Sequence, residues 1–397
     1  MDCRERVLTT LDRGVPDKVP YYEHLIQQPD LAKMLGVGGD LNLDLKKYAN
    51  FYEKHEKLIK YANKFLVRIT KTPKLVKPLF KGLVKPYVDL VMKLKVDLSV
   101  FFVGVHTRYQ FRPPNQLVNA FGQKLSLSLE KGVANTYYSG GAFETKEDYF
   151  ENYPKQNFSE PFGVELFKSI QKFVSHDKTY MIPGIFTGYF DALWMGFGME
   201  HFCRLLLKDL AFIKRVVRER EVYYQETVKN LIDTCGVEAI MLGDDLAYNT
   251  GPFIAPKYYT NIIFPAYKRL VKTIHKRGVK AVFHSDGNIM PLVDGLIDCN
   301  FDSIHPWQVS ANIDITEVKK KYGDKFAIMG NVPLAMLVHN SRKEIADYVK
   351  KLLRECAPGG GFFISSGNSI TPDVPWQKYL TMLSTFWKYR DYPINIP

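Results

Sequence analysis

The sequence is poor in cysteine. Its five cysteines are scattered along 397 residues, and no Cys-x-x-Cys pair occurs. Neither a disulfide framework nor a thiolate-rich zinc site is therefore indicated. We expect a protein of the reducing cytoplasm.

Long apolar runs are also absent. No stretch reaches the roughly 18 consecutive apolar residues of a membrane span, so no span is expected. The first residues, MDCRERVLTTLDRG, are charged and lack the apolar run of a secretory signal. With 46% hydrophobic and 24% charged residues, the composition indicates a globular protein with a large core.

Positive charge is concentrated in one segment. The chain carries a net charge of +12, and residues 44–95 hold 14 Lys and Arg against 4 Asp and Glu, a net +10. A nucleic-acid-binding protein usually spreads its basic charge more widely, so we expect no nucleic-acid partner. The segment is expected to be a solvated helical face, a docking surface for an acidic partner, or an amphipathic membrane-surface segment.

Eight short apolar runs alternate with segments of helical period. Such runs predict parallel strands covered by helices, and eight of them predict an α/β fold, the (β/α)₈ TIM barrel, as a single domain over residues 1–397. Two stretches depart from the repeat and are interpreted as insertions: a basic helical one near the N-terminus, about 41–95, and a polar one, about 107–159. The runs begin at Val19, Asp97, Thr179, Val237, Lys280, Phe301, Phe326 and Gly361.

Polar residues follow several of these runs, and the carboxyl ends of barrel strands converge on one mouth. Residues two apart on a strand share a side, so His284 and Asp286 predict an acid/base pair, two metal ligands or a structural ion pair. Of Asp244 and Asp245, only one can easily face the mouth, with His284 as its partner. The other would cap the following segment.

Further polar residues at the same mouth are candidates for binding the substrate. An asparagine at a strand end either orients a polar substrate or closes a loop. The candidates are Tyr248, Asn249, Asn288, His305, Asn331 and Asn368.

Several blocks resemble the uroporphyrinogen decarboxylase superfamily. They include RERVLTTLDRGVPDKVPYYEHL, GDDLAYNTGPFIAPKYY, VKAVFHSDGNIMPLVDGLID, FDSIHPWQ, KKKYGDKFAIMGNV and PGGGFFISSGNSITPDVP, in order from near the N-terminus to about Pro375. The resemblance implies an active site at the carboxyl ends of the barrel strands. It also implies one of two chemistries.

The decarboxylases of this superfamily use no cofactor and hold a tetrapyrrole's carboxylates with arginines, but the corresponding stretch, YYEHLIQQPD, has none. The corrinoid-linked methyltransferases that act on thiols place zinc on a His-x-Cys and a later Cys. Here His284 matches the histidine, Asp286 stands in place of the first cysteine, and the last strand is followed by no cysteine. A His/Asp/Asp set suits a harder nitrogen and oxygen site for zinc.

The resemblance favours a methyltransferase of the corrinoid or O-demethylase kind, which moves a methyl group between a small substrate and a corrinoid (cobalamin) protein. His284 and Asp286, with Asp244 or Asp245, would bind zinc or act as acid and base, and the corrinoid protein would dock on residues 44–95. The alternatives are a cofactor-free decarboxylase acting on a tetrapyrrole or other carboxylate, and a barrel that binds a tetrapyrrole or corrinoid without turnover.

Overall fold

The computed structural model describes residues 1–37, 85–103, 109–112, 115–119, 121–130, 133–152 and 162–396. Most of the basic segment 44–95 lies outside these ranges, so docking on it stays a prediction. Its described end, residues 85–93, is helical.

Eight parallel strands form one sheet and follow each other in chain order. They are β1 (Tyr22–Glu23), β2 (Leu98–Phe102), β3 (Tyr180–Ile185), β4 (Ala239–Gly243), β5 (Lys280–His284), β6 (Ser303–His305), β7 (Ala327–Met329) and β8 (Phe362–Phe363).

The sheet closes on itself. A parallel bridge pairs Tyr21 with Ile364, and the amide of Tyr22 donates to the carbonyl oxygen of Ile364 at 3.0 Å. Each of the eight apolar runs contains one of these strands, so the predicted (β/α)₈ barrel is confirmed.

Helices connect the strands and cover the outside of the barrel. Their bounds are Cys3–Leu11, Pro29–Met34, Lys146–Asn152, Phe162–Gln171, Tyr189–Phe197, Met199–Lys208, Leu210–Cys235, Pro256–Tyr258, Phe264–His275, Val293–Asp298, Ile315–Tyr322, Leu334–His339, Arg342–Cys356 and Trp376–Tyr389.

Local sequence explains where the helices begin and end. The helical period of the sequence continues from Met199 to Thr234, but the structure has two helices there. The Asp209 side chain accepts a hydrogen bond from the amide of Phe212 and starts the second helix. Gly236, with a φ of +61°, ends the second helix.

The barrel is filled from inside and sealed at its amino-terminal end. Alternate strand residues such as Val100, Met241 and Val282 point inward and form one apolar cluster. The helix Cys3–Leu11 adds Val7 and Leu11 to this cluster and so covers the end from which the strands start. The carboxyl end remains for polar residues.

The polar stretch about 107–159 contributes an antiparallel sheet. Its four strands are Tyr109–Arg112, Gln116–Asn119, Gln123–Glu130 and Val133–Gly141. This sheet lies against the helix Tyr189–Phe197, where the amide of Phe143 donates to the carbonyl oxygen of Gly196 at 3.0 Å. Among the helices of the described ranges, none has the length and apolar character needed to cross a membrane.

Candidate active site

Three buried histidines meet at the carboxyl end of the barrel. His24 follows β1, His284 ends β5 and His305 ends β6. The rings of His24 and His284 stack with centroids 4.5 Å apart and planes 10° apart. Nδ1 of His284 lies 2.9 Å from Nδ1 of His305.

The short contact between His284 and His305 restricts their protonation. One Nδ1 must carry the proton and the other must accept it. Burial, with His284 nearby, holds the pKa of His305 well below its usual range, so this ring is neutral at pH 7. When His284 is the donor, its Nε2 keeps a lone pair, as a metal-ligating imidazole requires.

Asp286 faces that lone pair. Its Oδ1 lies 3.9 Å from Nε2 of His284, is buried, and has no hydrogen-bond partner among the described residues. Its Oδ2 accepts from the side-chain amide of Asn368 at 2.7 Å. Burial raises the pKa of Asp286 to about 6, so this carboxyl favours a bound proton or cation.

Asp245 completes the group. One of its oxygens accepts from the amide of Asp286 at 3.0 Å. Ligand atoms of Asp245, His284 and Asp286 all lie within 4.8 Å of one another. The structure thus brings together three of the four residues that the sequence singled out for chemistry.

Asp244 points the other way, as the alternation of strand residues predicts. Its carboxylate accepts from the amides of Phe190 at 2.9 Å and Asp191 at 2.7 Å, and from the hydroxyl of Tyr267 at 2.8 Å. It therefore caps the helix Tyr189–Phe197, which precedes it in the chain, and not the segment that follows. Burial raises its pKa to about 7.

Hydrogen bonds between carboxylates and backbone amides connect these residues. Asp191, on the helix that Asp244 caps, accepts from the amide of Asp245 at 3.0 Å and from the indole of Trp194 at 3.0 Å. Burial raises the pKa of Asp191 well above its usual range, and the charges of Asp244 and Asp245 add to this. Backbone amides therefore hold Asp191, Asp245 and Asp286 in one fixed arrangement.

Four of the predicted substrate-binding residues make contacts outside this group. Asn331 donates to the Trp307 carbonyl oxygen and accepts from Tyr348 at 3.3 Å. Asn288 accepts from the Met290 amide in its own loop at 3.2 Å, Asn249 accepts from Ser310 at 3.4 Å, and Tyr248 is 63% exposed at the rim. Their role in binding stays a prediction.

Sequence reasoning missed several residues of the site. Glu23 ends the first strand and His24 follows it in YYEHL, and the strand-end rule used for later strands would have found both. Burial raises the pKa of Glu23 to about 7, and its carboxylate accepts from the hydroxyls of Tyr21, Ser366 and Tyr379. No sequence pattern marked Phe102 or Phe186 as residues of the site. Each packs edge-on against His24 at 5.2 Å and forms an apolar wall.

Two sets of ligand atoms lie close enough for a metal ion, and one set suits it better. The three histidines fall within 4.8 Å, but parallel stacking of His24 on His284 directs their lone pairs into parallel planes. Asp245, His284 and Asp286 offer nitrogen and oxygen donors suited to zinc, with the unpartnered Oδ1 of Asp286 among them.

Comparison with known proteins identifies a matching family and a relative. The family profile described as uroporphyrinogen decarboxylase (URO-D) matches residues 129–389, about two thirds of the chain. A 62-residue stretch is 37% identical to a uroporphyrinogen decarboxylase of Pseudoalteromonas translucida (strain TAC 125), covering 16% of this chain and 17% of that protein.

A methyltransferase from Methanosarcina mazei has the same fold. It superposes with a TM-score of 0.66 at 13% identity, over 98% of this chain and 99% of that one. The eight-stranded barrel, the polar strand ends and the matching profile lead to one conclusion: this chain belongs to the uroporphyrinogen decarboxylase family.

Proposed function

We propose that the protein is a methyltransferase that moves a methyl group between a small substrate and a corrinoid carried by a partner protein. The main support is the cluster of Asp245, His284 and Asp286, whose ligand atoms lie within 4.8 Å of one another. One carboxylate oxygen of this cluster is buried and has no hydrogen-bond partner among the described residues. Two partly buried carboxylates this close together favour a bound cation. Zinc is the cation that this donor set suits.

His284, Asp286 and Asp245 would hold the zinc. When bound, zinc supplies a Lewis acid to the heteroatom that gives up or receives the methyl group. His305 fixes the ring of His284 through their 2.9 Å contact, and Asn368 fixes Asp286. Such supporting partners set the orientation and basicity of metal ligands.

The surroundings favour a small substrate without negative charges. Phe102 and Phe186 exclude water beside the histidines. No hydrogen bond or ion pair in the described ranges joins Asp245, His284 or Asp286 to a lysine or arginine. The two carboxylates would repel the carboxylates of a tetrapyrrole, because no described lysine or arginine neutralises them.

Zinc content and methyl transfer test the proposal. The purified protein should contain about one equivalent of zinc and should convert cob(I)alamin to methylcobalamin with a methyl donor from a panel of methoxy and methylamine compounds. His284→Ala should lose both properties. His275→Ala is the matched control. His275 lies outside the cluster and forms a 2.7 Å hydrogen bond with Asp302. Full activity of a metal-free protein would refute the zinc site.

A decarboxylase is the second candidate. The URO-D description of the family profile and the 62-residue match favour it. In that reaction a carboxylate such as Asp286 would stabilise a developing cation. Carbon dioxide release from a carboxylated pyrrole by metal-free protein, without any methyl transfer, would support this candidate over the first.

A further inference from the structure

We infer that His24 contacts the substrate and donates a hydrogen bond from Nε2 to the heteroatom that loses the methyl group. This inference rests on the proposed function and extends it to a residue on the first strand. Its basis is the position of His24, its fixed ring and the hydroxyl that bonds to Nδ1.

The ring of His24 cannot turn freely. It stacks on His284 at 4.5 Å, and the rings of Phe102 and Phe186 meet it edge-on at 5.2 Å each. The side chain is 7% exposed. These three rings therefore define the directions of its two nitrogen atoms.

Nδ1 is directed into the barrel. It lies 2.7 Å from the hydroxyl of Tyr22, which is two residues earlier and starts β1. Tyr22 belongs to the apolar cluster that fills the barrel. Nε2 is on the opposite edge of the ring and thus toward the mouth, and no described residue forms a hydrogen bond with it.

The Tyr22 hydroxyl determines which nitrogen carries the proton. This hydroxyl has two neighbours that accept hydrogen bonds, Nδ1 of His24 at 2.7 Å and the thioether sulfur of Met241 at 3.5 Å. A thioether is a weak acceptor, so the hydroxyl donates to Nδ1. Neutral His24 then carries its proton on Nε2, and a protonated ring would carry one there as well.

An N–H group at this position would stabilise the negative charge that develops on the leaving heteroatom. During transfer the bond between methyl carbon and heteroatom breaks, and its electron pair stays on the heteroatom. The electron pair of the new bond to carbon would come from a Co(I) corrinoid on the partner protein. A donor already aimed at the developing negative charge lowers the barrier, as a neutral imidazole can do. The heteroatom would then take its proton from solvent as the demethylated product leaves the site.

The tautomer can be measured without metal, corrinoid or substrate. In protein labelled with ¹⁵N-histidine, long-range ¹H–¹⁵N spectra should show His24 protonated at Nε2 and unprotonated at Nδ1, with assignment by loss of the signals in His24→Gln. Tyr22→Phe should give a mixture of tautomers. Protonation of wild-type His24 at Nδ1 alone would overturn the inference, whatever the reaction proves to be.

The kinetic test separates substrate contact from a structural role. His24→Leu should lower kcat by roughly 100-fold, the effect of removing one such donor. The loss should grow as the leaving alcohol becomes less acidic. His24→Gln, which keeps an N–H donor, should recover part of the rate, and zinc content should stay at the wild-type level in both.

Tyr392→Phe is the matched control for Tyr22→Phe. It removes a hydroxyl that bonds to the carbonyl oxygen of Ala357 at 2.7 Å, remote from the histidines. A His24→Leu rate equal to wild type, or a loss independent of the leaving group, would contradict the inference while leaving the zinc and cob(I)alamin results intact. Absence of zinc and methyl transfer in wild type would refute the proposed function instead.

Discussion

Glu23 illustrates how burial changes the acidity of a single carboxyl group. The side chain has no exposed surface and lies between the hydroxyls of Tyr21, Ser366 and Tyr379. Burial raises its pKa from 4.5 to about 7, although these hydrogen bonds oppose the shift. A raised pKa in the folded state means that the folded protein binds this proton more tightly than the unfolded chain.

Replacing Glu23 should therefore alter how stability depends on pH. Between pH 4.5 and pH 7 the folded protein keeps the proton that the unfolded chain releases, so stability falls as pH rises through this window. Glu23→Gln cannot titrate. The stability advantage of wild type over the variant should shrink by about 3 kcal/mol between pH 4 and pH 8. Urea unfolding at both pH values checks this, and an unchanged difference would contradict it.

At the same scale, sequence reasoning succeeded where residues lie close in the chain. The two-residue spacing of His284 and Asp286 placed both at one strand end, and the structure puts their facing atoms 3.9 Å apart. The contact of His24 with His284 spans 260 positions, and no local pattern encodes it. Asn331 was equally unreadable, since Trp307 and Tyr348 fix its side chain from other elements.

At the scale of elements, the helix Tyr189–Phe197 and β4 are held together by two aspartates. Asp244 accepts from two amides at the start of the helix, and Asp191 of that helix accepts from the amide that follows Asp244. The arrangement leaves no room for a side chain at Gly188, where a Cβ would lie 2.4 Å from that of Asp244. Helix and strand therefore position Asp245 as one unit.

Asp244→Ala should separate this positioning role from chemistry. It leaves two buried amides and the Tyr267 hydroxyl without their acceptor, so unfolding free energy should drop by about 3 kcal/mol. Thermal and urea unfolding measure the loss. If Asp244 only positions the helix, the folded variant should still bind zinc with reduced affinity. Wild-type stability with complete loss of activity would indicate a direct chemical role instead.

The eight strands were readable from the apolar runs because those runs depend on neighbouring residues. The break between Met199–Lys208 and Leu210–Cys235 was not, since the helical period continues across Asp209. Its capping bond to Phe212 competes locally with the helix. The antiparallel sheet of Tyr109–Gly141 was also missed, because polar strands carry a weak alternation signal.

On the scale of the whole molecule, a buried ion network connects the two ends of the described fold. It lies at the amino-terminal end of the barrel strands. Asp97 accepts from Arg6 and from Arg390, each at 2.6 Å, and from the amide of Tyr21 at 2.9 Å. Asp97 is 1% exposed. Three distant parts of the chain therefore depend on one carboxylate.

Removing that charge should loosen the fold while sparing the site. Asp97→Asn leaves Arg6 and Arg390 without their shared anion, so stability should fall by about 3 to 5 kcal/mol. The exposed pair Lys85–Asp89 is the control, and Asp89→Asn should lose less than about 1 kcal/mol. Urea unfolding compares them. A small loss for Asp97→Asn would show that the buried network contributes little.

Barrel closure between Tyr21 and Ile364 bears on when the site can exist during synthesis. His24 leaves the ribosome well before Asn368, which orients Asp286. A nascent chain arrested before β8 would therefore carry the histidines on an open sheet with an incompletely held carboxylate. Assembly of the complete pocket must wait for the final strand, so we expect arrested chains to capture zinc poorly.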